Sequence, residues 1–271
     1  MPDHSASHTR ARLYETLLGA FGWLGRFVHG FHSVLGVLLS LGLLLAIGAL
    51  WAFAELAEEV MQGTTQRFDD SVLLWLHSHA TPTLDVLALE ITSLGSFVVV
   101  AMLVTVSCVF LWVTGHRYSA GLLLIALAGS ELLNSLLKNW FDRPRPQLFD
   151  WVAPHAGQTS FPSGHAMTSM AVYATLAYLI ARLETTHVLR WLTIGVAAIV
   201  IVLIGLSRLY LGGHYPSDVV AGFAAGFAWA ACCAAAIEAV HYFRARRPGL
   251  QRVEHEPEAG PGVEPVAVRG R

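Results

Sequence analysis

Six stretches of the chain stay apolar for the roughly 20 residues that a helix needs to cross a bilayer. They are Ser33–Ala54, Ile91–Val113, Tyr118–Leu137, Ser163–Ala181, Trp191–Ser207 and Val219–Val240. The first, second and fifth contain no charge, and the others hold only Glu131, His165 and Glu238 respectively. This pattern predicts an all-α integral membrane protein, with six transmembrane helices in a bundle. The polar segments between them predict the rest. Residues 11–30 place Leu13, Leu17, Phe21, Leu24 and Val28 at helical intervals, as in an interfacial helix or a cytoplasmic extension of the first span. Residues 55–82 interleave Glu55, Glu58, Glu59, Arg67, Asp69 and Asp70 with Phe68, Val72, Leu73 and Leu76. That mixture predicts one or two short amphipathic helices on the outer surface. The expected organisation is a cytoplasmic N-terminal segment at 1–32, a six-span domain at 33–243 and a disordered cytoplasmic tail, rich in Pro, Gly, Glu and Arg, at 244–271.

Composition narrows the class. Hydrophobic residues make up 55% and charged residues 13%, against about 25% charged in a soluble domain. The formal net charge of −2 comes with no basic run of the kind that nucleic-acid binding needs apart from the short tail stretch Arg244, Arg246 and Arg247, so no nucleic-acid partner is expected. Cys108, Cys232 and Cys233 all fall in apolar segments without a CxxC spacing, and read as small hydrophobes. The first apolar run begins near residue 33, too far along and too long for a cleaved leader. Arginine and lysine placement sets the orientation. With the N-terminus inside, 12 of the 17 basic residues fall on the cytoplasmic side; the other five are Arg67, Lys138, Arg143, Arg145 and Arg208. The expected location is the cell inner (plasma) membrane, multi-pass, with both termini cytoplasmic.

That topology brings three polar clusters to one outer face. They are Lys138 through Arg145 and Pro146, then Pro162-Ser163-Gly164-His165, then Ser207-Arg208 followed by His214 and Asp218. Lys138, Arg145 and Arg208 are three cations in an apolar protein, and a multivalent anion is their natural partner. The arginine fork matches phosphate oxygens, and lysine adds a point charge. Ser163 and Gly164 open the fourth span, where a helix N-terminus offers backbone N–H groups to an anion. His214 and Asp218 are four apart, which suits a carboxylate accepting the Nδ1 proton while Nε2 attacks phosphorus. His165 has no carboxylate at helical spacing and suits a general acid for the departing alkoxide. No carboxylate cluster suits a divalent metal, so no cofactor is expected. Taken singly, Lys138 and Arg145 read as interfacial anchors.

In sequence, Lys-x6-Arg-Pro, Pro-Ser-Gly-His and Ser-Arg-x5-His-x3-Asp resemble the type-2 phosphatidic acid phosphatase superfamily at every motif position. The resemblance implies a phosphohistidine on His214 oriented by Asp218, with His165 as acid. It implies Lys138, Arg145, Ser163, Gly164 and Arg208 as phosphate binders, and a lipid phosphate or pyrophosphate as substrate. A lipid phosphotransferase using the same histidine stays open, as does a non-catalytic lipid-phosphate binder or transporter. Arg143 reads either as a phosphate or headgroup ligand or as an exposed loop cation. Glu131 and Asn134 read as residues that steer the lysine or line a substrate cleft, or as polar contacts between helices. Glu90 either pairs with a motif cation or ends a helix. Gly222 and Gly226 read as a close-packing pair, and Trp140, Phe141 and Trp151 as interface aromatics.

The charge asymmetry yields a test. In a background without native cysteines, a cysteine at Gln158 is expected to react with an impermeant maleimide in intact cells, and one at Thr186 is not. The opposite pattern would reverse the topology.

Overall fold

The computed structural model describes residues 34–149 and 157–245. The proposed interfacial helix at 11–30, Trp151 and the tail beyond Ala245 lie outside them. Eight helices are described: α1 (Val34–Met61), α2 (Gln66–Ser78), α3 (Pro82–Ser93), α4 (Phe97–Val113), α5 (Arg117–Phe141), α6 (Gly164–Leu183), α7 (His187–Tyr210) and α8 (Pro216–Ala245). Among the described residues there is no strand, and an isolated antiparallel bridge joins Pro144 to Thr159. The chain divides into two compact units, Met1–Ile237 and Glu238–Arg271. Of the second, residues 238–245 are described and are helical.

Four helical segments are long and apolar enough to cross a membrane: Arg117–Phe141, Gly164–Leu183, His187–Tyr210 and Pro216–Glu238. A fifth arises if α3 and α4 count as one span bent by 43°. The chain is an integral membrane protein, and side chains such as Leu124, Ile125, Leu132, Val188, Trp191 and Ile199 lie exposed on these helices, as lipid-facing residues do. The expected count of six is not confirmed among the described residues, and two stretches differ from their expected bounds. The stretch at 91–113 is not one straight helix. Ser96 caps α4 by accepting the Val99 N–H at 3.4 Å, and the chain turns through Leu94-Gly95-Ser96. The stretch expected to end at Ala54 instead continues helical to Met61, because Glu-Leu-Ala-Glu-Glu-Val-Met are good helix formers. It stops where Gly63 takes φ 73. The segment at 55–82 therefore holds the end of α1, all of α2 and the start of α3. Thr81 caps α3, with Pro82 in its first turn.

Helix α6 packs against α4, α5 and α7, and α7 also receives α2 and α3. One core joins Val100, Val104, Leu123, Ala126, Val172 and Cys233 from α4, α5, α6 and α8. Two smaller clusters flank the motif-bearing ends. Phe53 and Ala57 of α1 meet Phe161 and Ala221, and Leu73 of α2 meets Ala166, Leu209, Tyr215 and Val219. Phe141 belongs to the first of these, edge-on to Phe53 and Phe161, and so is not an interface aromatic. Trp140 is 83% exposed and fits that description. All three cysteines are free.

Helix α8 lies on α6 through glycine, as the small-residue spacing implies. A Cβ at Gly222 would come 2.7 Å from the Ser163 carbonyl oxygen, and one at Gly226 would collide with the Met167 carbonyl oxygen. Both obstacles are backbone and cannot rotate away. Gly226→Leu is expected to lower stability in detergent by about 1–3 kcal/mol, the usual cost of overpacking. The check is the midpoint of denaturant unfolding, and an unchanged midpoint would refute the tight contact.

Candidate active site

The end of α5 and its following loop, the start of α6, and the turn from α7 into α8 converge on one buried cluster. Asp142 closes α5 in the left-handed conformation, φ 44, which Asp tolerates better than most residues. The chain then reverses and returns Arg143 and Arg145 to the interior, each 8% exposed. Lys138, one turn before the end of α5, donates from Nζ to the Thr159 carbonyl at 2.9 Å. Arg208, in the last turn of α7, donates from Nη1 to Thr92 Oγ1 at 3.0 Å. Thr92, and not the exposed Glu90, is thus its neighbour on α3. His165 lies in the first turn of α6 with its ring against the α3–α4 bend. A Cβ at Gly95 would sit 3.1 Å from its Cδ2.

His214 is 2% exposed and sits between Asp218 and Arg145. Arg145 donates from Nε to Gly157 O at 3.1 Å and from Nη1 to Gly213 O at 2.7 Å. The same Nη1 lies 3.2 Å from His214 Nε2. A guanidinium can only donate, so Nε2 must be the acceptor. Burial comes first, and then the fields of Arg208, Arg145, Lys138 and His165. Together they hold His214 well below the ordinary imidazole value, so the ring is neutral. A neutral ring that accepts at Nε2 carries its proton on Nδ1. That atom faces Asp218 Oδ2 at 3.5 Å, longer than a hydrogen bond. Asp218 is fully buried and accepts the Tyr215 N–H at Oδ2, 2.9 Å, closing the first turn of α8 in the manner of a capping box.

The structure therefore brings Lys138, Arg145, His165, Arg208, His214 and Asp218 together. Ser163 and Gly164 stand at the start of α6 as expected, with different contacts. The Ser163 N–H is used within the protein, donating to the Asp218 carbonyl at 3.0 Å and tying α6 to α8. Gly164 permits close approach by Asn134, whose Oδ1 lies 3.0 Å from where a Cβ would stand. At this site three buried atoms, Ser163 Oγ, Arg208 Nε and His214 Nδ1, have no hydrogen-bond partner among the described residues.

Residues 119–242 match the PAP2 superfamily model. The chain is 30% identical over 175 residues to phosphatidylglycerophosphatase B of Bacillus subtilis (strain 168), across 64% of this chain and 85% of that protein. The chain belongs to the PAP2 superfamily. It is also 39% identical over 110 residues to lipid A 1-phosphatase of Rhizobium johnstonii, across 37% of this chain and 40% of that protein. Its fold matches the crystal structure of a transmembrane PAP2-type phosphatidylglycerolphosphate phosphatase from Bacillus subtilis. The TM-score is 0.68 at 26% identity, covering 72% of this chain and 96% of that one.

Arg143 of this PAP2 protein is neither of the things its sequence position suggested. It is buried, and its guanidinium is taken up by protein: Nη1 donates to Asp218 Oδ1 and Ser217 Oγ, both at 2.7 Å, and Nη2 donates to Asp69 Oδ2 at 2.9 Å. Its Cζ lies over the Tyr215 ring, 4.0 Å from the centroid. Asn134 donates to the Pro162 carbonyl at 3.3 Å, and Glu131 accepts from Thr168 Oγ1 at 2.7 Å. Both are contacts between helices or between a helix and its loop, and neither touches Lys138 through these bonds. Sequence reasoning missed Asp69, Ser217 and Thr92. Asp69 left a trace: with Leu73 and Leu76 it occupies positions i, i+4 and i+7, an acid on an apolar face. Asp69 and Leu73 are both 0% exposed.

Because each neighbouring cation lowers His214, removing one is expected to raise it. In histidine-labelled protein, with His214→Gln assigning the signal, wild-type His214 is expected to titrate well below 6.5, and Lys138→Gln to move it upward. A wild-type titration at or above 6.5 would contradict the buried cationic setting.

Proposed function

We propose that this membrane lipid phosphatase hydrolyses a phosphomonoester on a lipid headgroup through a phosphohistidine on His214, at the extracytoplasmic face. One observation carries the reading: Nε2 of a neutral, buried imidazole is directed among Lys138, Arg145 and Arg208, with Nδ1–H toward Asp218. In the forward step Nε2 forms a bond to phosphorus as the bond to the headgroup oxygen breaks, and His165 gives that oxygen its proton. The phosphorylated ring is cationic, and Asp218 opposite Nδ1 balances it. Water then attacks phosphorus while His165 takes its proton, releasing phosphate and restoring Nε2. Lys138, Arg145 and Arg208 carry the charge on the transferring group, and the unpartnered Ser163 Oγ and Arg208 Nε offer it further donors.

Charge supports a monoester. Arg143 is taken up by the buried carboxylates Asp69 and Asp218. Lys138, Arg145 and Arg208 give the site its cationic character, which suits the doubly charged head of a phosphomonoester. Phosphatidylglycerophosphate is the headgroup we favour, because its Bacillus phosphatase is matched across 85% of its length and the lipid A 1-phosphatase across 40%.

The two histidines separate experimentally in excess EDTA. His214→Ala is expected to abolish turnover and covalent phosphate labelling on any substrate. His165→Ala is expected to lose about 10²–10⁴-fold in kcat/KM on phosphatidylglycerophosphate, the usual worth of a general acid. It is expected to lose far less on p-nitrophenyl phosphate, whose leaving group needs no proton. Equal losses on both substrates would remove His165 from the acid role, and phosphoenzyme persisting in His214→Ala would move the nucleophile elsewhere.

A further inference from the structure

We propose that Asp69 is a positioning residue for the nucleophile, acting through Arg143 and Ser217 on Asp218; the proposal rests on the reading of His214 as the attacking group. Asp69 sits on α2, outside every motif that marks the site, yet it is fully buried. Its carboxylate is saturated by groups that bear on Asp218. Oδ1 accepts the Ser217 N–H at 3.1 Å. Oδ2 accepts the Ser217 hydroxyl at 2.6 Å and Arg143 Nη2 at 2.9 Å. Ser217 is the second residue of α8 and directly precedes Asp218. Its N–H is one of those a helix cannot pair within itself, so Asp69 supplies from another helix the carboxylate cap that α8 needs.

The arginine transmits this. Its fork is planar and its nitrogens cannot move independently. With Nη2 held by Asp69 and Gln66 Oε1, the latter at 3.2 Å, Nη1 falls on Asp218 Oδ1. Oδ2 is left for the Tyr215 N–H and for His214 Nδ1. Without the Asp69 charge, Arg143 would retain one carboxylate partner in a buried site, and the favoured arrangement would be a bidentate grip on Asp218. That grip takes the oxygen that His214 needs. Asp69 thus keeps the arginine from monopolising Asp218.

A double-mutant cycle with Asp218→Asn tests this, because coupled residues fail to add and independent ones do not. Asp69→Asn keeps the shape and removes the charge. It is expected to lower kcat/KM at least tenfold, on the order of the 10² that misplacement by about 1 Å costs. The factor should be the same on phosphatidylglycerophosphate and on p-nitrophenyl phosphate, since both meet the same nucleophile. The inhibition constant of inorganic phosphate should stay within about twofold, because Lys138, Arg145 and Arg208 are untouched. In the Asp218→Asn background the same change should cost less than about threefold. A loss of equal size in both backgrounds would make Asp69 a merely structural tie between α2 and α8, and overturn the proposal. So would wild-type activity in Asp69→Asn. Should Asp69→Asn fail to fold, Ser217→Ala carries the same cycle. It removes the hydroxyl that links Arg143 to Asp69, and the same two outcomes decide. Turnover retained in His214→Ala would instead sink the reading of the site, so the two failures are distinguishable.

Discussion

Asp218 is the point at which the loops of the site are fastened to one another. Its carboxylate holds Arg143 from the α5–α6 loop and the Tyr215 N–H from its own turn, and faces His214. Its backbone carbonyl takes the Ser163 N–H at the head of α6. One residue therefore joins three segments that are far apart in the chain. A carboxylate with no exposure tolerates such a position only when its lone pairs are filled, and here cationic and backbone donors fill them. The arrangement is self-consistent: the donors that make burial of Asp218 tolerable are the same groups that place the site's side chains.

The glycines of α8 serve the same end. Gly222 and Gly226 let α8 approach the backbone of α6 so closely that the Ser163 N–H reaches the Asp218 carbonyl. In a membrane, where lipid competes for apolar surface, close backbone approach is a main source of helix association. Packing in the bundle and geometry at its end are thus one constraint. The bend between α3 and α4 adds to it, setting Thr92 on Arg208 and Gly95 beside His165.

Much of this was legible in the sequence, and what was not has physical reasons. Long apolar runs located the helices, and charged residues at their ends located Lys138, Arg145, His165, Arg208, His214 and Asp218, because such residues are costly there unless they meet. The break at Leu94–Ser96 was hidden by the absence of charge in this stretch; Thr92, Ser93, Gly95 and the cap residue Ser96 marked it. The extension of α1 to Met61 was hidden by the opposite bias, since three glutamates read as a connection although they are good helix formers. Arg143 misled because its partners are remote: Asp69 lies 74 residues away and Ser217 also 74. No local pattern carries a pairing over that distance. The acid on the apolar face of α2 was the available sign.

The contact between Arg145 and His214 Nε2 has a consequence for the enzyme at rest. A lone pair capped by a permanent cation is shielded from protons and from chance electrophiles. On the mechanism proposed above, an incoming phosphate competes for that cation, and in drawing Arg145 toward its own oxygens it uncovers Nε2. On that mechanism the substrate's charge arms the nucleophile, and a neutral lipid drifting through the same membrane leaves it capped.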